Sequence, residues 1–230
     1  MGFPRLDRFA AVAHLPLREI AMQTRLLVLA ALMAATVSAQ EPRTLPRLLS
    51  FEIPAQRHTV QSGGIVAYDL KLDEKGAVTS AEIVQDVAPY GAVLGATVRS
   101  WRFEPAREGG RAVPSRVLLL GFFRPPALTF AAPANPRYKT TVAPDEIPWP
   151  TSVAVPPYPP NALGGGMVVM EADVSDGGAV TGTRVLSTAG AFDGAATEAV
   201  KKWVFRPARR GPRDVPSRVV MAVSFVGTSQ

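Results

Sequence analysis

The spacing of apolar and polar positions between residues 166 and 225 changes period three times. Val168, Met170, Ala172 and Val174 alternate with Val169, Glu171 and Asp173, the pattern of a strand with one face buried. Ser175-Asp176-Gly177-Gly178 then supplies residues that tolerate positive φ, which predicts a tight hairpin with Val180 to Ser187 as the return strand. Phe192, Ala195, Ala196, Ala199, Val200 and Trp203 recur at helical spacing and make one apolar stripe. Asp193 near its start and Lys201-Lys202 near its end suit the helix dipole, and Pro207 stops the helix soon after Trp203. From Val219 to Phe225 the alternation of a strand returns.

The same pattern stands 102 residues upstream. Val66, Tyr68, Leu70 and Leu72 point inward, and Asp73-Glu74-Lys75-Gly76 turns the chain. Tyr90, Val93, Leu94, Thr97, Val98 and Trp101 repeat the helical stripe, which Pro105 ends. The match extends to identity. WRFEPAREGGRAVPSRV at 101–117 stands against WVFRPARRGPRDVPSRV at 203–219, and 21 of 61 positions over 63–123 are identical without a gap. Units of this length bury a small core of their own, unlike short solenoid repeats. The expected fold is α+β: two tandem small domains, each a three-stranded antiparallel sheet with one helix packed on it, in the order β-β-α-β. Residues 63–124 hold the first copy and 157–228 the second. Residues 125–156 between them, with Pro125-Pro126, Pro133, Pro136, Pro144, Pro148, Pro150 and Pro156, read as an extended, semi-rigid linker.

Ahead of the first copy lie an N-terminal segment, 40–62, and a leader, 1–39. Met22 to Ala39 looks like a secretory signal, with Arg25, an apolar stretch from Leu26 to Val37 and small residues up to Ala39. Cleavage is expected after Ala39. Residues 1–21 read as an upstream extension of a chain that starts at Met22. The apolar stretch falls short of the ~20 residues of a membrane span, which leaves a retained inner-membrane anchor as the alternative. The chain has no cysteine, so an exported product carries neither a disulfide nor a lipid-bearing cysteine. These features point to the periplasm. Net charge is +6, and the leader holds four arginines against two acids, so the remainder carries +4. That balance does not point to nucleic acid.

The second copy resembles the C-terminal domain of the TonB energy-transducer family. The residues that carry the resemblance begin at Tyr158-Pro159-Pro160-Asn161-Ala162 and continue through Gly166, Val168, Met170, Gly178 and Val180. Phe192-Asp193-Gly194-Ala195-Ala196, Ala199-Val200 and Trp203-Val204-Phe205-Arg206-Pro207-Ala208 follow, and the last strand closes the pattern. The first copy keeps Trp101, Phe103, Pro105 and Ala106 but lacks the Tyr-Pro start and the Asp-x-Ala-Ala element. The resemblance implies a non-catalytic, protein-binding module of the periplasm. It implies that an exposed sheet edge pairs with an extended segment of an outer-membrane transporter, coupled to a proton-driven motor of the inner membrane. By that analogy Val219, Val220, Met221, Ala222, Val223, Ser224 and Phe225 are the partner-binding edge, with Val117–Phe123 as counterpart. An unpaired edge offers backbone donors and acceptors to any extended peptide. Partners are then an outer-membrane transporter or another envelope protein, motor components of the inner membrane, or a second copy of the chain in a homodimer. The alternative is a structural or scaffolding envelope protein whose two domains pair their edges with each other.

Other candidate chemistry is thin. Trp101 and Trp203, at the end of helical stripes, are expected in the core rather than as peptide-stacking residues. Arg206, Arg209, Arg210 and Arg213 form a candidate basic patch for peptidoglycan or a phospholipid headgroup, against a plainer reading as a solvated turn. Beyond the leader His58 is the only histidine, so no His-based metal site or Cys/His nucleophile is expected, and no enzyme activity or cofactor. Glu171 and Asp173 are expected on the solvated face of their strand. Gly164-Gly165-Gly166 precedes a strand rather than a helix and is no phosphate loop.

Overall fold

A computed structural model of the chain describes residues 43–52, 63–124 and 143–225. The signal-like segment and residues 125–142 of the expected linker lie outside the described residues. Strands β1 (Arg43–Thr44) and β2 (Arg47–Ser50) precede β3 (Gly64–Leu72) and β4 (Val78–Gln85). Helix α1 (Tyr90–Val98) follows, then β5 (Arg102–Glu104), β6 (Ala106–Glu108), β7 (Arg111–Val113) and β8 (Ser115–Arg124). The second half runs β9 (Trp149–Ser152), β10 (Gly166–Val174), β11 (Val180–Ser187) and helix α2 (Phe192–Val200). It ends with β12 (Val204–Arg206), β13 (Ala208–Arg210), β14 (Arg213–Val215) and β15 (Ser217–Phe225). From β9 onward every element starts 102 residues after its counterpart.

The repeat therefore begins earlier than the sequence pattern suggested. β9 pairs with β12 and β2 with β5, in equivalent registers. Residues 143–156, read as linker because of their prolines, are packed: Ile147, Trp149 and Val153 are fully buried. Prolines are tolerated here because these strands are short and paired on one side.

The helices bury the expected stripes, Tyr90, Leu94 and Val98 in α1 and Phe192, Ala196, Ala199 and Val200 in α2. They stop sooner than expected. Backbone turns close at Ser100 N to Thr97 O (2.9 Å) and Trp203 N to Val200 O (3.0 Å), and each Trp already leads into a strand. Pro105 and Pro207 are not the stop signals. They sit between β5 and β6 and between β12 and β13.

The larger departure is in the sheet. Instead of two three-stranded sheets there is one six-stranded sheet, in the order β11-β10-β15-β8-β3-β4. β15 pairs antiparallel with β10 on one side and parallel with β8 on the other, from Val219↔Leu118 to Phe225↔Arg124. Paired residues in a parallel ladder share a face, and here the register is staggered by one from the repeat offset. Equivalent residues such as Val117 and Val219 therefore point to opposite faces. One repeat is turned over relative to the other, and α1 and α2 cover opposite faces of the sheet. The cores follow suit: Leu118, Leu120 and Phe122 pack with α2 and Trp203, while Val169, Val220 and Ala222 pack with α1 and Trp101. The Phe122 and Trp203 rings meet edge-on at 5.9 Å. Each repeat thus buries an apolar back face that a lone three-stranded unit would leave in water. Fully burying Leu118, Leu120 and Phe122 contributes about 1.5–3 kcal/mol apiece.

Candidate functional site

Val219–Phe225 does not form an edge. Every residue of this stretch has a ladder partner on both sides, and its counterpart Val117–Phe123 is paired with β3 throughout and with β15 from Leu118 onward. The physical reason is that two unpaired, doubly apolar strands held in one chain meet at high effective concentration, and pairing removes both edges at once. Strand addition along β15 would require the repeats to separate.

The open flanks lie elsewhere. Among the described residues β4 pairs only with β3, and β11 only with β10. Register shifts at equivalent places, on either side of Tyr68–Lys71 and of Met170–Asp173, bracket a four-residue regular stretch in each pair. Ile83 and Val185, equivalent positions on these outer strands, are large apolar residues left exposed, 47% and 38%. Beside them stand Glu82, paired with Lys71 at 2.7 Å, and Arg184, paired with Glu171 at 2.6 Å.

The seam between the repeats is pinned by polar groups. Asp69 is completely buried and takes both its hydrogen bonds from Arg116, whose remaining nitrogen reaches Glu146 of the other repeat at 3.0 Å. The bonds to Asp69 raise the Arg116 guanidinium further above its ordinary value, so it stays charged. Arg218, the equivalent of Arg116, binds Asp173 at 2.7 Å and the Pro46 carbonyl of the other repeat at 3.1 Å. Glu171, expected on a solvated face, is buried and accepts the Leu48 N–H at 2.6 Å as well as the Arg184 bonds. Its strand is covered on both faces, so alternation no longer separates buried from solvated positions. A cleft of about 270 Å³ lies along this seam, lined in part by Arg43, Arg116, Glu146, Arg209, Arg210 and Arg218.

The candidate basic patch is largely committed to structure. Arg206 pairs with Asp145 and donates to the carbonyls of Pro144 (3.0 Å) and Ile147 (3.4 Å), which clamps the segment before β9. Arg209 lies 3.3 Å from Asp214, and Arg210 lies 2.5 Å from Glu108 across the seam. Arg213 opens β14. Trp101 and Trp203 are core residues, 1% and 2% exposed. Tyr158 of the Tyr-Pro start packs on Phe192 at 5.4 Å and Phe225 at 6.4 Å, under the Arg124 guanidinium at 5.6 Å.

Sequence reading missed Asp69, Glu146 and Glu108. For Asp69 a signal existed, a lone acid among apolar neighbours on a strand. For the contacts of Glu108 with Arg210 and of Glu146 with Arg116 none did, because each crosses from one repeat to the other. Among the described residues no three acids or histidines gather as metal ligands, and no helix is long and apolar enough to cross a membrane.

Comparison with known proteins adds one match. No curated protein matches the chain. Residues 154–226 match the family described as Gram-negative bacterial TonB protein C-terminal. The match begins just after β9 and takes in the Tyr158 packing, β10, β11, α2 and β15, while the first repeat lies outside it. It is the second repeat that this match assigns to the TonB C-terminal family.

Proposed function

We propose that the chain is a TonB-like protein of the periplasm that binds an extended segment of an envelope protein by β-strand addition, without catalysis, in energy-coupled transport across the outer membrane. The binding edge in this reading is the outer flank of β11 or β4, not β15. The observation that carries it is the sheet order: with β15 and β8 paired to each other, β11 and β4 are the outer strands of the six-stranded sheet. Unpaired backbone groups on such a flank suit an extended peptide. The bulges limit the regular stretch to four residues, which favours a short segment. The two repeats then act as two small α+β units joined into one body, with one edge each.

A photo-crosslinking residue at Val185 or Ile83 tests this in cells. The expected result is a crosslink to an envelope protein from one or both sites and none from Glu198 on the exposed face of α2. Silence at both edge sites, or equal labelling from Glu198, overturns the edge reading. A second reading, a scaffold whose repeats serve only to bind each other, is favoured by the paired β8 and β15. It predicts silence at both edges.

A further inference from the structure

The charges at the seam differ between the repeats in a systematic way. Glu108, in the hairpin of β6 and β7, and Arg210, in the hairpin of β13 and β14, occupy equivalent positions, and they meet each other at 2.5 Å. In a pair of like units, a residue that meets its own equivalent meets its own charge. Here the two have opposite charges. The residues behind them are reversed too. Arg43 of the first repeat binds Glu108 at 3.0 Å, while its equivalent Asp145 binds Arg206 and lies 3.9 Å from Arg209. Glu104 and Arg206 are also equivalent. At positions 104 and 108 the first repeat is acidic where the second, at 206 and 210, is basic.

We infer that the seam is a heterotypic recognition surface: the second repeat fits a first repeat and rejects another second repeat. The partner it selects is the first repeat of the same chain. Glu108 and Arg210 are partly exposed, 37% and 51%, so their ion pair adds little stability. Its effect lies in the alternatives. A pair of second repeats would bring Arg210 against Arg210, and a pair of first repeats Glu108 against Glu108, with the like-charge penalty that steers partner choice. The chain closes on itself and leaves its outer edges on one molecule. This holds whether or not those edges bind a partner.

Full-chain variants test it. Arg43 also binds Glu108, so all carry Arg43→Ser. Glu108→Arg and Arg210→Glu alone should each speed amide exchange across Leu118–Phe122 and Val219–Val223, by about three- to fivefold for a like-charge contact near the seam. The double variant should return to within about twofold of the parent. Unchanged exchange in the Tyr68–Ile83 ladder confirms that each variant folds. The two single variants, unfolded and refolded together, should form dimers by light scattering, because exchange of repeats restores both opposite-charge pairs. Neither should dimerise alone. Single variants that match the parent, a double variant no slower in exchange than the singles, or a mixture that stays monomeric overturns the inference.

Discussion

Trp203 and Trp101 hold the same place in the two repeats and are equally buried, yet their indole N–H groups differ. Trp203 Nε1 donates to the Ala154 carbonyl at 3.0 Å, while Trp101 Nε1 finds no partner among the described residues. A buried donor without a partner costs about 1–3 kcal/mol, and removing a satisfied one leaves its acceptor stranded. Both Trp→Phe changes lose similar ring volume. Trp203→Phe should therefore destabilise more than Trp101→Phe, by about 1–2 kcal/mol in urea unfolding. Equal losses would show that the indole bond contributes nothing. The core role of both residues was legible from the helical stripe. The difference was not, because it depends on where residues 154 and 52 run in space.

Each hairpin glycine was legible from its turn, but the turn is only half of what the position demands. Gly178 has φ +82°, and a Cβ there would stand 1.9 Å from the Phe205 carbonyl oxygen. Phe205 N in turn donates to the Gly178 carbonyl at 2.8 Å, so the turn is stitched to β12. Gly76 and Phe103 repeat the arrangement at 2.9 Å. Gly190, at φ +63°, has nothing within 4 Å of its Cβ site. Gly190→Ala should cost about 1 kcal/mol, the left-handed backbone alone. Gly178→Ala should cost about 2–4 kcal/mol, adding the lost contact with β12. Thermal unfolding of the two variants separates the effects. A four-residue motif predicts the turn, while the strand that crosses it begins at Val204, 26 residues after Gly178, and is set by packing.

At the scale of the molecule, β15 changes from an outer strand to the middle of a sheet, and a proline there changes meaning with it. Met221→Pro would remove a donor from a strand paired on both sides and force its ring into a closed core. The expected outcome is a loss of about 3 kcal/mol or more in global stability, seen in chemical unfolding, rather than a folded protein that fails to bind. A variant of near-parental stability would place β15 at an edge after all.

The division between what the sequence determined and what the tertiary structure decided falls at the range of the interactions. Strand, hairpin, helix and the 102-residue repeat were legible because each depends on residues a few positions apart, through pleat, turn and helical period. The near-continuous apolar runs at 117–123 and 219–223 also held a warning that these strands are covered on both faces, as buried parallel neighbours are. Which strands would meet, which repeat would turn over and which acid would find which arginine were decided only in three dimensions. Each repeat has a second apolar face that no local pattern can assign a partner, and the other repeat, tethered in the same chain, covers it.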